Sequence, residues 1–283
     1  GYVRLVQRWL CAMPHKYAPS QPAPPVGRSY LSYRGTHVMT APYSRTAHQS
    51  GTAPTLRIAS YNMRKAKGTD RQRDPDRIMR IIRDLDADIV VLQEADMRLG
   101  ARPSALPIDT VTMQTGLVAV PVPGDASIGW HGNAVLLHRQ AQIIEVQHID
   151  LPGAEPRGAM VVDADIHGVS LRIIATHLGL MRSSRRAQLS RLIAHLDERS
   201  RRSTLIAGDM NEWSQTVGLG RLAHHFTIYA PGKSFHARLP MAALDRIAMD
   251  DDLQLVDGGV VETRDAKRAS DHLPIWLDFT LQI

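Results

Sequence analysis

The polar residues with the most chemical potential in this chain stand where apolar runs stop. Asn62 closes TLRIASYN, Glu94 closes ADIVVLQE, His177 closes VSLRIIATH, and Asp209 and Asn211 follow the apolar part of LIAGDMNEW. Asp245 in LDRIAM and the pair Asp271-His272 beside LPIWLDFTL flank further runs. A carboxylate at the end of a buried strand is costly unless it is paired, hydrogen-bonded or bound to a cation. Several such acids at strand ends therefore imply one charged object that they share. Oxygen donors with an amide among them, and no cysteine nearby, suit Mg²⁺ or Mn²⁺ rather than zinc. Interleaved histidines suit proton transfer, or stabilisation of negative charge on a phosphoryl group, because imidazole titrates near neutral pH. The chemistry indicated is metal-assisted hydrolysis of a phosphoester.

Groups that act together need rigid mounts. TLRIASYN (55–62) reads as a strand. DPDRIMRIIRDLDA reads as a helix with Asp74 as N-cap, Pro75 in the first helical position, and Ile78, Ile81, Ile82 and Leu85 along one face. ADIVVLQE (87–94), GNAVLLHR (132–139), RGAMVVDADI (157–166) and VSLRIIATH (169–177) read as strands, the last two forming a hairpin turned at His167-Gly168. SRRAQLSRLIAHLDER (184–199) places Leu189, Leu192, Ile193 and Leu196 at helical spacing. STLIAGD (203–209), LDRIAM (244–249) and LPIWLDFTL (273–281) complete the strand set. No internal repeat is visible. Strands outnumber helices and mix hairpins with crossovers, so the expected class is α/β of the α+β type, with two packed mixed sheets and helices outside.

Composition limits the alternatives. With 283 residues and 43% hydrophobic content, the chain can bury one substantial core. No apolar run is long enough to span a membrane, and Arg8 interrupts the N-terminal LVQRWLCAM, so neither a span nor a signal peptide is expected, and a cytoplasmic monomer is. Cys11 is the single cysteine, which excludes an intrachain disulfide and a thiolate metal site. The net charge of +6 is unevenly placed. Residues 1–53 hold six basic residues, no acid and six of the 17 prolines, leaving 28 basic against 28 acidic in residues 54–283. Residues 1–53 are therefore expected to be a disordered basic segment, with 1–38 a candidate over-extended reading frame, and residues 54–283 one domain.

Taken in order, SYN (60–62), LQE (92–94), GNAVLL (132–137), ATHL (175–178), GDMN (208–211), LDRI (244–247) and SDHLP (270–274) resemble the motifs of the endonuclease/exonuclease/phosphatase superfamily. The resemblance covers residues 55–283. It implies a deoxyribonuclease-like four-layered sandwich and a metal-dependent phosphodiester hydrolase that directs water in line at phosphorus. It also implies that Glu94 is the main metal ligand, with Asn62 and Asp271 completing or supporting the shell. By the same resemblance Asp209 activates or orients the water, Asn211 positions the phosphate, and His272 faces the phosphate under the orientation of Asp245. His177 resembles the second active-site histidine, while Arg157 in EPRGAM and Asn133 in GNAVLL stand where substrate contacts are expected.

Each residue alone has a plainer reading. Asn62 could be a turn residue, Glu94 a cap, Asp245 a partner of Arg246, and Arg157 a surface arginine. Their joint order disfavours those readings. The substrate is less legible. The basic stretches RKAKGTDRQR (64–73) after Asn62 and MRSSRR (181–186) after His177 are expected to flank the cleft and attract phosphate, which favours a nuclease. A neutral body favours instead phospholipid head groups or small phosphoesters, since a protein that tracks a duplex needs a broader basic stripe. Two departures, Ser60-Tyr61 where abasic-site endonucleases carry a tryptophan and Arg246 where they carry an aromatic, count against that subfamily. A catalytically silent binding module is a third reading.

Overall fold

A computed structural model describes residues 37–39, 54–97, 100–124, 126–214 and 217–282. In chain order it begins with strands β1 (His37–Met39) and β2 (Leu56–Asn62), helix α1 (Pro75–Asp84), strand β3 (Ile89–Gln93) and helix α2 (Ile108–Thr115). Strands β4 (Leu117–Ala119), β5 (Ala134–His138), β6 (Gln142–Leu151), β7 (Arg157–Ile166) and β8 (Val169–His177) lead to helix α3 (Arg182–Asp197). Strand β9 (Ser203–Asp209), the short helix α4 (Gly220–Ala223), β10 (Thr227–Tyr229), β11 (Asp245–Met249), β12 (Leu253–Val261), helix α5 (Arg264–Ala269) and β13 (Ile275–Leu281) finish the chain.

The strands form two mixed sheets, ordered β1-β12-β13-β2-β3-β5-β4 and β10-β11-β9-β8-β7-β6. Period-two alternation explains why they stack. Leu171, Ile173 and Ala175 of β8, with Leu205 and Ala207 of β9, join the core between the sheets. Their neighbours Ile174 and Ile206 face the other way, into a second cluster with Leu189 and Leu192 of α3. On the far side of the first sheet, Ile78, Met79, Ile81 and Ile82 of α1 are buried. Helix, sheet, sheet, helix is the expected four-layered sandwich.

Local signals in the sequence account for several boundaries. The Asp74 side chain accepts the Arg77 amide at 2.9 Å and Pro75 opens α1, as its N-cap pattern requires. The β7–β8 hairpin closes Ile166 on Val169, with His167 and Gly168 both at positive φ. Helix α3 starts at Arg182, two residues earlier than its apolar stripe suggested. Of the N-terminal segment expected to be disordered, only His37–Met39 is described, and these three residues pair in parallel with Gly259–Val261. The remainder of residues 1–53 lies outside the described residues. Among the described residues no helix is long and apolar enough to cross a membrane.

Two buried ion pairs lock neighbouring strands. Arg57 on β2 meets its cross-strand partner Asp278 on β13 through two hydrogen bonds of 2.7 Å and lies over the Trp276 ring at 4.3 Å. Arg172 on β8 grips Asp163 on β7 through two bonds of 2.8 Å.

Candidate active site

Register puts the chemistry in one row. On the second sheet, parallel pairing sets His177 of β8 opposite Asp209 of β9, and antiparallel pairing sets Asp245 of β11 opposite Asp209 from the other side. Gly208 is required just before Asp209, because its φ is +153° and a Cβ there would run into the Thr176 carbonyl oxygen. On the first sheet, β2 ends at Asn62 beside Gln93, which brings Asn62 next to Glu94, and Asp271-His272 precede β13.

Asp209 Oδ2 is the hub. It accepts the Asn62 Nδ2 donor at 3.0 Å and lies 3.4 Å from His177 Nε2 and 3.6 Å from His272 Nε2, while Oδ1 accepts the Asn211 backbone amide at 3.0 Å. His272 Nδ1 is 2.8 Å from Asp245 Oδ2, which also accepts the Ser234 hydroxyl at 2.5 Å. Asn62, His177, Asp209, Asn211, Asp245 and His272 are all buried. Burial pushes the Asp209 carboxyl up to about 6, against the pull of His272. Burial works against charging His272, but Asp245 and Asp209 together outweigh it and lift the imidazole to about 10.

Glu94 and Asp271 stand at the edge of this cluster, each against a cation from the segment that follows Asn62. Lys65 Nζ pairs with Glu94, and Arg64 Nε lies 3.3 Å from Asp271. Arg64, Lys65 and Ala66 have φ of 48°, 55° and 57°, a run of left-handed residues, and Glu94 and Asn211 also sit in that region at 53° and 48°. Non-glycine residues held there cost free energy, and such strain concentrates at functional sites.

Other expected site residues are placed less centrally. The Arg157 guanidinium is matched by Glu155 at 2.9 Å. Both amide hydrogens of Asn133 go to backbone carbonyls, Trp130 at 3.2 Å and Gly158 at 2.9 Å, so Asn133 braces a turn instead of offering a donor to substrate. The Asn211 side chain donates to the Leu178 carbonyl at 2.8 Å, tying the loops after β8 and β9 together. The expected basic flank at 181–186 is also thinner, because Arg185 is buried against Glu212 at 2.8 Å and against the Leu180 carbonyl at 2.7 Å.

Ser234 and Ser270 belong to the site without having been singled out. Ser270 Oγ donates to the Asn62 carbonyl at 2.7 Å and accepts the His272 amide at 3.2 Å, tying the segment that enters β13 to the end of β2. Ser270 lies within the SDHLP motif and was therefore findable. Ser234 lies in a loop without periodicity and gave no signal. Phe235 packs against the His272 ring at 5.0 Å between centroids.

Asp209, Asp245 and His272 offer ligand-type atoms within 4.8 Å of one another. A buried group of two carboxylates and an imidazole at this spacing could hold a metal ion. Glu94, Asn62 and Asp271 carry further oxygen atoms of the hard type, and the Lys65 ammonium and Arg64 guanidinium pair with the two acids.

A profile of the Endonuclease/Exonuclease/phosphatase family matches residues 59–272, which takes in every residue of this cluster. The chain belongs to that family. Over 162 residues it is 28% identical to the uncharacterized protein YbhP of Escherichia coli K12, a match covering 52% of this chain and 62% of YbhP, less than two thirds of that relative's length. Among solved structures, an endonuclease/exonuclease/phosphatase from Beutenbergia cavernae is 21% identical with a TM-score of 0.62, over 80% of this chain and 72% of that one. The mannosyl-6-phosphatase of Bacteroides thetaiotaomicron is 17% identical with a TM-score of 0.63, over 80% of this chain and all of that one. At these identities the two structures show that the family fold is shared.

Proposed function

We propose that this family member is a Mg²⁺- or Mn²⁺-dependent phosphodiester hydrolase that directs water in line at phosphorus. The observation that carries the reading is Asp209 Oδ2, a single carboxylate oxygen ringed by Asn62, His177 and His272. A carboxyl raised to about 6 is ionised near neutral pH yet basic enough to draw a proton from water. His272, kept as an imidazolium by Asp245, presents positive charge for the non-bridging oxygens, where charge accumulates during transfer. His177, at the end of the adjacent strand, is placed to protonate the leaving oxygen. Asn211 orients the Asp209 carboxylate through its backbone amide. Glu94, with Asn62 and Asp271, would hold the metal, which when bound supplies Lewis-acid stabilisation of phosphoryl charge. Lys65 and Arg64 then have substrate phosphate as an alternative partner.

Two substrate classes fit this chemistry: nucleic acid, and phospholipid or small phosphoesters. The pairing of Arg157 and Arg185 with acids removes part of the basic track that a duplex would follow, which supports the second class. The metal assignment is tested by titrating Mg²⁺ calorimetrically into wild type and Glu94→Gln. The variant is expected to bind at least about tenfold more weakly and to regain part of its activity at high metal. Unchanged affinity would remove Glu94 from the metal site.

A further inference from the structure

Three segments around the catalytic cluster share a composition. Residues 178–186, 213–219 and 230–241 contain no acid. They carry Leu180, Met181, Trp213, Leu239 and Met241, each at least half exposed. Beside these side chains, Arg182, Arg186, Lys233 and Arg238 are exposed.

The loops are joined to one another and to the site. Leu178 N donates to the Asp209 carbonyl at 2.9 Å, and Arg185 couples the first loop to Glu212, next to Trp213. Trp213 meets the Phe235 ring edge-on at 6.0 Å, and Phe235 packs on His272. Phe235 also pairs antiparallel with Ala242, so residues 236–241 form the projecting tip that bears Leu239 and Met241. Isolated exposed apolar side chains are ordinary, but aliphatic residues gathered from separate loops beside one site mark an interaction surface.

We infer that this face docks on an anionic phospholipid bilayer, with the apolar tips entering the interface and the flanking cations meeting lipid phosphates, so that the site takes a phosphodiester presented there. Aliphatic side chains among cations, on stretches that carry no acid of their own although Glu155 reaches the Leu180 amide, complement an anionic membrane surface. A nucleic acid would use the cations and Trp213 but would leave the four aliphatic side chains without a partner. The substrate half of this inference rests on the hydrolase reading. The docking half does not.

The test is co-sedimentation of the full chain with phosphatidylglycerol vesicles and with phosphatidylcholine vesicles, alongside Mg²⁺-dependent hydrolysis of soluble bis-p-nitrophenyl phosphate. Wild type is expected to bind phosphatidylglycerol vesicles in preference, with binding weakened by salt. The double variant Leu239→Ser/Met241→Ser is expected to lose roughly tenfold in vesicle affinity, and Lys233→Gln roughly fivefold, both with unchanged hydrolysis of the soluble diester. Equal sedimentation of wild type and double variant would overturn the docking surface. So would the absence of wild-type binding to either vesicle, whether or not the protein bound plasmid DNA. If the soluble diester were not cleaved while vesicle binding followed the predicted pattern, the docking would stand and the hydrolase reading would fail.

Discussion

At the scale of single residues, the proposed hydrolysis depends on the division of charge between Asp209 and the His272–Asp245 pair. The pair holds its proton because Asp245 lies 2.8 Å from Nδ1, and burial alone would strip it. The sign follows from this. A histidine raised in the folded state contributes stability that is fully present below its unfolded value and is lost as pH rises through about 10. Asp245→Asn leaves burial dominant, so the alkaline limb of kcat/KM is expected to move down from about 10 toward neutrality, with the fold retained. A limb that stayed in place in the variant's pH profile would mean that His272 does not act as the charged group. Most of these residues were legible because their types are unusual at strand ends. Sequence order cannot show that both amide hydrogens of Asn133 go to backbone carbonyls, and Lys65 was read as part of a flanking basic loop because a left-handed turn of non-glycine residues leaves no compositional trace.

The elements supply the alignment. His177, Asp209 and Asp245 share one row only while β8, β9 and β11 keep register, and Ser270 on the Asn62 carbonyl ties the segment that enters β13 to the end of β2. The Arg57–Asp278 pair performs a similar locking role between β2 and β13. Asp278→Ala removes the carboxylate that takes two hydrogen bonds from a buried guanidinium and is expected to cost about 3–5 kcal/mol in urea unfolding. A loss below about 1 kcal/mol would show that the Trp276 stacking and the Leu85 carbonyl contact suffice for Arg57. Strongly periodic elements such as α1, β3 and β8 were readable in the sequence. Strand β6 was not, since its first four residues are exposed at a sheet edge, and β12 was hidden by Gly258-Gly259 and a register shift between Leu255 and Asp257.

Over the whole molecule, the sandwich gathers groups that are far apart in sequence onto one face, within the span that matches the Endonuclease/Exonuclease/phosphatase family. Its basic and apolar loops then bear on where the substrate is met. The account's central claim is narrower than any substrate: Asp209 is the base of a metal-dependent phosphodiester hydrolysis. It is tested most directly by bis-p-nitrophenyl phosphate turnover with and without Mg²⁺ in wild type and Asp209→Asn, with folding of both verified by circular dichroism. Wild-type turnover that requires the metal and falls by about 10²–10⁴-fold in the folded variant is the predicted result. Turnover that survives in Asp209→Asn, or that proceeds equally well without a divalent metal, would contradict it.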